Sequence, residues 1–188
     1  MLSIHEQGKG RGIGHSIDSF YVRFIQICED SKKNNIRKIF AFLLYDYNDK
    51  NIKKLLKDKG AFVRLDRLTG KDLDVFYLDH SDSNVFKSFN EVFLEPFDIQ
   101  EKITFPVIIF FDVFSSEIEN INFVEFDQSN FITVFNDIYK IFEEKINSEA
   151  KLYNQKPKLT KGIKILSGIG EKILLSFVTD KIKKYLFE

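Results

Sequence analysis

The run Thr104-Phe105-Pro106-Val107-Ile108-Ile109-Phe110-Phe111-Asp112 constrains this chain more than any other stretch. Val107 to Phe111 are apolar without interruption. The run is far shorter than the roughly 20 residues of a bilayer-spanning helix. It also lacks the polar alternation of a half-exposed strand, so it reads as a strand covered on both faces. Pro106 has no amide hydrogen for a ladder bond and is expected at the first position. Asp112 is expected to end the strand.

The segments around it supply a sheet and its covers. Ile39 to Tyr45 reads as a second doubly covered strand and Asp74 to Asp79 as a third. Asn122 to Asp127 alternates apolar and polar residues, as an antiparallel edge strand would. Helices are expected from Ser16 or Asp18 to about Asp30, from Lys50 to Lys59 with Gly60 as terminator, and from about Asn84 to Glu95, where Pro96 stops the helix. Asn130 to Ala150 is expected to be the longest helix. The fold class is therefore α/β with a mixed sheet.

Three regions are expected: a flexible glycine-rich tail over residues 1–15, an α/β domain over 16–154, and a linker with a basic amphipathic helical tail over 155–188. The tail's docking stripe would be Ile163, Leu166, Ile169, Ile173, Phe177, Ile182 and Tyr185. The 28 basic and 28 acidic side chains cancel, but not locally. Residues 1–60 carry 12 basic and 7 acidic groups and residues 151–188 carry 9 and 3, around an acidic middle. A neutral total disfavours a dedicated nucleic-acid binder. With no hydrophobic leader in residues 1–16 and no long uncharged run, the expected location is the cytoplasm.

Few residues point to a specific chemistry. Gly8, Gly10, Gly12 and Gly14 precede a helix start, where free amides attract anions. Their spacing fits neither the P-loop nor the dinucleotide fingerprint, and no cofactor is expected. Cys28 is the single cysteine. That excludes an intramolecular disulfide and a multi-cysteine metal site, and Cys28 reads as a core thiol. Asp46, Asp49, Asp79, His80 and Asp112 fall near the ends of strands, where open α/β sheets place ligands.

Between Ile36 and Ala150 the element order, strand, helix, strand, helix, strand pair, helix, resembles the thioredoxin fold. In that family a proline, usually cis, opens the first strand of the closing hairpin. Phe105-Pro106-Val107-Ile108-Ile109-Phe110 is similar to that stretch, and Asn122 to Asp127 to its partner. The resemblance implies a thioredoxin-like three-layer sandwich carrying an additional N-terminal helix and a C-terminal amphipathic helical extension. Where the family places its Cys-x-x-Cys pair, this chain has Asp46-Tyr47-Asn48-Asp49-Lys50-Asn51, so thiol–disulfide exchange by that route is ruled out. A flavodoxin-like sheet is the alternative fold.

These residues lead to an expectation of a non-catalytic, redox-inactive adaptor that works through protein–protein contacts. Its groove would lie between Asp46, Asn48, Asp49 and Lys50 on one side and Phe105 and Pro106 on the other, with Thr69, Lys71 and Asp72 alongside. The C-terminal segment would dock on a partner, on a second copy or on its own body. Two further readings are an enzyme built on the strand-end carboxylates and His80, and a peripheral membrane protein held by the basic tail.

Overall fold

The computed structural model describes residues 4–8, 11–46, 48, 50, 67, 73–126, 139–141, 143, 163–167 and 172–187. The sheet is organised around β3 (Lys38–Tyr45) and β5 (Val107–Phe114). Every residue of β3 after Lys38 is buried, as is all of β5 before Phe114. β3 pairs antiparallel with β5, Leu44 opposite Val107. On its other side β3 pairs in parallel with β4 (Leu73–Asp79), Leu44 opposite Leu78. β6 (Glu117–Phe126) returns antiparallel along β5.

β5 runs two residues past Asp112, which was expected to end it. A buried carboxylate is tolerated mid-strand when its oxygens are paired. Arg37 and the Asn120 amide supply those pairs, at 3.0 and 2.7 Å from Oδ2.

The glycine-rich tail is instead a hairpin. β1 (Ile4–Gly8) and β2 (Arg11–His15) pair antiparallel, and β1 continues the sheet beside β4. Ile4 on β1 is fully buried in the main core, which holds the hairpin in place. The sheet order is β2-β1-β4-β3-β5-β6-β7, with β7 spanning Ile163–Ser167 and a two-residue β8 (Ile173–Leu174) also pairing with β6. The 122–127 strand is thus no edge: β6 has β5 on one side and β7 on the other.

α1 (Ile17–Asn34) begins where Ser16 Oγ accepts from the Ser19 amide at 3.3 Å. It runs four residues beyond the expected end and stops at Asn35, whose left-handed φ of 52° closes the last turn. Its inner face carries Phe20, Phe24, Ile27 and Cys28. Below it lie Phe40 and Phe42 of β3 and Phe76 of β4, with Phe20 and Phe76 centroids 5.0 Å apart and Phe24 and Phe40 4.9 Å apart. α2 (Ser83–Phe89) begins at Asp82, whose carboxylate accepts from the Val85 amide, and passes into a π-helical turn over Asn90–Leu94. That turn brings Phe93 onto Phe42 at 5.0 Å.

Residues 159–188 do not form one amphipathic helix. Ile163 and Leu166 lie on β7, opposite Phe126 and Phe123 of β6, and Ile173 lies on β8 opposite Ile118. The Ile163–Lys164–Ile165 alternation satisfies a period of two as readily as a helical stripe, and pairing on β6 decides for the strand. Only α3 (Leu175–Phe187) is helical, and it packs on the body through Leu175, Val178 and Ile182. The expected helix over Lys50–Lys59 and most of that over Asn130–Ala150 fall outside the described residues. Among the described residues, no helix is long and apolar enough to cross a membrane.

Candidate functional site at one end of the sheet

Because β3 and β4 are parallel and β5 runs against them, the C-terminal ends of β3 and β4 meet the N-terminal end of β5. Asp46, His80 and the Phe105–Pro106 pair therefore share one end of the sheet. The His80 amide donates to Tyr45 O at 2.9 Å and ties the loop after β4 to the end of β3. The Phe105–Pro106 peptide is cis, and Pro106 is buried immediately before β5.

An aromatic cluster forms the wall of this end. The His80 ring lies on Phe105 with centroids 4.2 Å apart and planes 28° apart. Phe86 of α2 meets both edge-on, at 5.8 and 5.5 Å. All three are half-buried.

Three carboxylates lie at this end of the sheet, and local bonds orient them. Asp46 Oδ1 accepts from the Asn48 amide at 2.7 Å, and Asp79 Oδ1 accepts from the Ser81 amide and hydroxyl at 3.0 and 2.7 Å. These are the short side-chain-to-backbone bonds by which Asp shapes a turn. Glu125 Oε1 accepts from the Thr104 amide at 2.8 Å and braces the approach to Phe105. Asn48 and Lys50 are exposed beside Asp46. This end of the sheet therefore holds a half-buried aromatic cluster and three carboxylates.

Of the expected groove, Asp46, which accepts from the Asn48 amide, and the Phe105–Pro106 pair share this end of the sheet, and Lys50 is exposed. Asp49, Thr69, Lys71, Asp72 and Ile169 lie outside the described residues. Asp79 and His80 belong to this end too, but Asp112 does not. It pairs with Ile39 at the opposite end of β3, where Arg37 bridges it to Glu119 at 3.0 and 2.7 Å. The set of strand-end carboxylates is split because strands of opposite direction send their C-termini to opposite ends. Of the expected docking stripe, Ile182 is fully buried and Ile173 half-buried, whereas Phe177 and Tyr185 are exposed. Tyr185 rests edge-on against Tyr21 at 5.4 Å.

The sequence reading missed a second polar cluster beneath α1. Glu6, on β1 and almost fully buried, accepts from Arg23 Nη2 at 2.9 Å and Nε at 3.1 Å, and His15 Nε2 lies 3.0 Å from its other oxygen. Nearby, burial raises the Asp74 carboxyl above its ordinary pKa, although Lys38 opposes the shift. Lys38 Nζ stands 3.3 Å from Asp74 Oδ2 and forms an ion pair with it. The available signal was Ile4-His5-Glu6-Gln7-Gly8 alternating toward a Lys9-Gly10 break, a hairpin pattern.

Cys28 belongs to neither cluster. It sits on α1 at the base of a cavity of about 180 Å³ between α1 and α3, which Ile25, Leu175 and Lys183 also line. Its side chain is nearly inaccessible, and burial pushes the thiol pKa well up. Comparison with family models, curated proteins and solved structures returns no match.

Proposed function

We propose that the chain is a redox-inactive, thioredoxin-like binding module that engages a partner protein through the His80–Phe105 end of its sheet. One observation carries this reading: a half-buried aromatic cluster stands beside a cis proline where three strand ends converge, with Asp46, Asp79 and Glu125 at the same end of the sheet. The order β4-β3-β5-β6, with β3 and β4 parallel and the others antiparallel, supports the thioredoxin-like assignment. Aromatic rings are the side chains that most often anchor protein contacts. The three carboxylates favour a partner segment with basic side chains.

The position of the lone cysteine supports the redox-inactive part of the reading. The sequence between β3 and β4 contains no cysteine, and a buried thiol with a raised pKa supplies little thiolate. The enzyme reading is weaker because Asp112 stands at the far end of the sheet, and Asp79 is already engaged in shaping its turn.

The test is affinity capture from the native cell with the intact chain and with the Asp46→Ala/His80→Ala double variant, after circular dichroism shows that both fold alike. A stoichiometric protein retained by the wild type and lost by the variant supports the module. Recovery of the same proteins by both chains, or of none by the wild type, overturns it.

A further inference from the structure

We propose that the cavity between α1 and α3 binds a small monocarboxylate whose apolar part is about the size of a benzene ring. α3 is anchored at both of its ends. The Leu175 amide donates to Ser116 O at 2.9 Å and fixes the start of α3 to the turn between β5 and β6. Toward the other end, Tyr185 rests edge-on against Tyr21 of α1. Val178 and Ile182, between these points, are fully buried in the core. The gap of about 180 Å³ beside α3 is therefore preformed. It stays open because Cys28, Ser116 and Thr179 line it with side chains too short to fill it.

The lining changes from apolar to charged. Cys28 and Leu175 are buried, and with half-buried Ile25 they make an apolar floor. Lys32, Lys183 and Glu29 line the same cavity and are exposed, so they form its rim. An apolar cavity of about 150 Å³ takes up one benzene molecule, and the volume here suits a single ring or a branched chain of similar size. A floor without charge and a rim with three charges fit an amphipathic occupant, its apolar body inward and its polar end at the rim.

The charge of the rim selects the polar end. Lys172 and Lys181, in the same C-terminal segment, are already held by Glu117 and Glu95. Lys32 and Lys183 form no ion pair among the described residues. Two lysines against Glu29 leave a balance of one positive charge, which one negative charge on the ligand neutralises. A carboxylate meets this need, since it accepts charge-assisted hydrogen bonds from ammonium donors. A doubly charged head such as a phosphate monoester would exceed the balance and press a second negative charge toward Glu29. A cation would face both lysines.

Titration of the full isotope-labelled chain with benzoate, followed through its amide chemical shifts, tests this. Saturable binding with a Kd on the order of 1 mM is expected for so small a ligand, with the shifts centred on Cys28 and Thr179. Neutral benzamide is expected to bind at least about threefold more weakly, and cationic benzylamine not to bind. Lys32→Gln and Lys183→Gln are each expected to weaken benzoate binding about threefold, and Glu29→Gln to tighten it by a similar factor. All three side chains are exposed, so the circular dichroism spectrum is expected to stay unchanged. Thr179→Phe places a ring in the cavity itself and is expected to abolish binding. Should it disturb α3, the three charge variants carry the test. No saturable shifts with benzoate, equal binding of benzoate and benzylamine, or charge variants that all bind benzoate as the wild type does, overturns the proposal.

Discussion

His80 lies flat against Phe105, with ring centroids 4.2 Å apart, although the two residues come from loops 25 positions apart in the chain. The contact links the loop after β4 to the segment entering β5. A double-mutant cycle of His80→Ala and Phe105→Ala is expected to give a coupling of about 0.5–1.5 kcal/mol in urea denaturation. Strictly additive effects would mean that the rings merely adjoin.

Asp74 makes stability depend on pH. Burial raises its folded-state pKa above the ordinary 3.8, despite the ion pair with Lys38. Between the ordinary value and the raised one the native state binds more protons than the unfolded chain, so stability falls as pH rises through that window. Asp74→Asn has no proton to lose and lacks this fall. The stability of the variant relative to the wild type is therefore expected to improve with rising pH across the window, read from denaturation curves between about pH 3 and pH 7. A difference that stays constant with pH contradicts this account.

α3 separates core from surface within two turns. Ile182 is fully buried, while Phe177 is 53% exposed with Lys181 Nζ 5.5 Å from its ring centre. Ile182→Ala is expected to lower stability by about 2–4 kcal/mol through the cavity it leaves. Phe177→Ala is expected to change stability by no more than about 0.5 kcal/mol. Equal losses from the two would show that the helix packs by another face.

Cys28 is expected to resist a thiol reagent such as dithionitrobenzoate in the native chain and to react fully once the chain is unfolded in guanidinium. Both its burial and the raised pKa suppress the thiolate that attacks the reagent. Rapid labelling at neutral pH of the folded protein would mean that the cavity between α1 and α3 opens to admit it.

The strands and helices legible in the sequence are those whose pattern has one physical solution. An unbroken run such as Val107–Phe111 or Ile39–Tyr45 must be covered on both sides, and Ser16 or Asp18 before an apolar stripe signals a helix start. The 159–188 segment misled because its apolar spacing allows both periods. Ile163–Ser167 is a strand because β6 offers it an edge, and that edge exists only in the folded sheet. The N-terminal glycines misled for a related reason. As an isolated segment they lack the apolar surface to order themselves, and Ile4 is buried only once β4 is there to pair with β1.

The candidate site divides in the same way. Pro106 at the head of its strand, and polar residues after β3 and β4, follow from composition and punctuation alone. Which of them meet depends on strand direction, a property of pairing that no local pattern encodes. Parallel β3 and β4 bring Asp46 and His80 together, while the reversed β5 carries Asp112 to Arg37 at the other end. The sequence by itself determined which segments had to be buried, because burial depends on side-chain chemistry. Only the tertiary structure decided which buried segments became neighbours, because pairing partners and their directions are long-range choices.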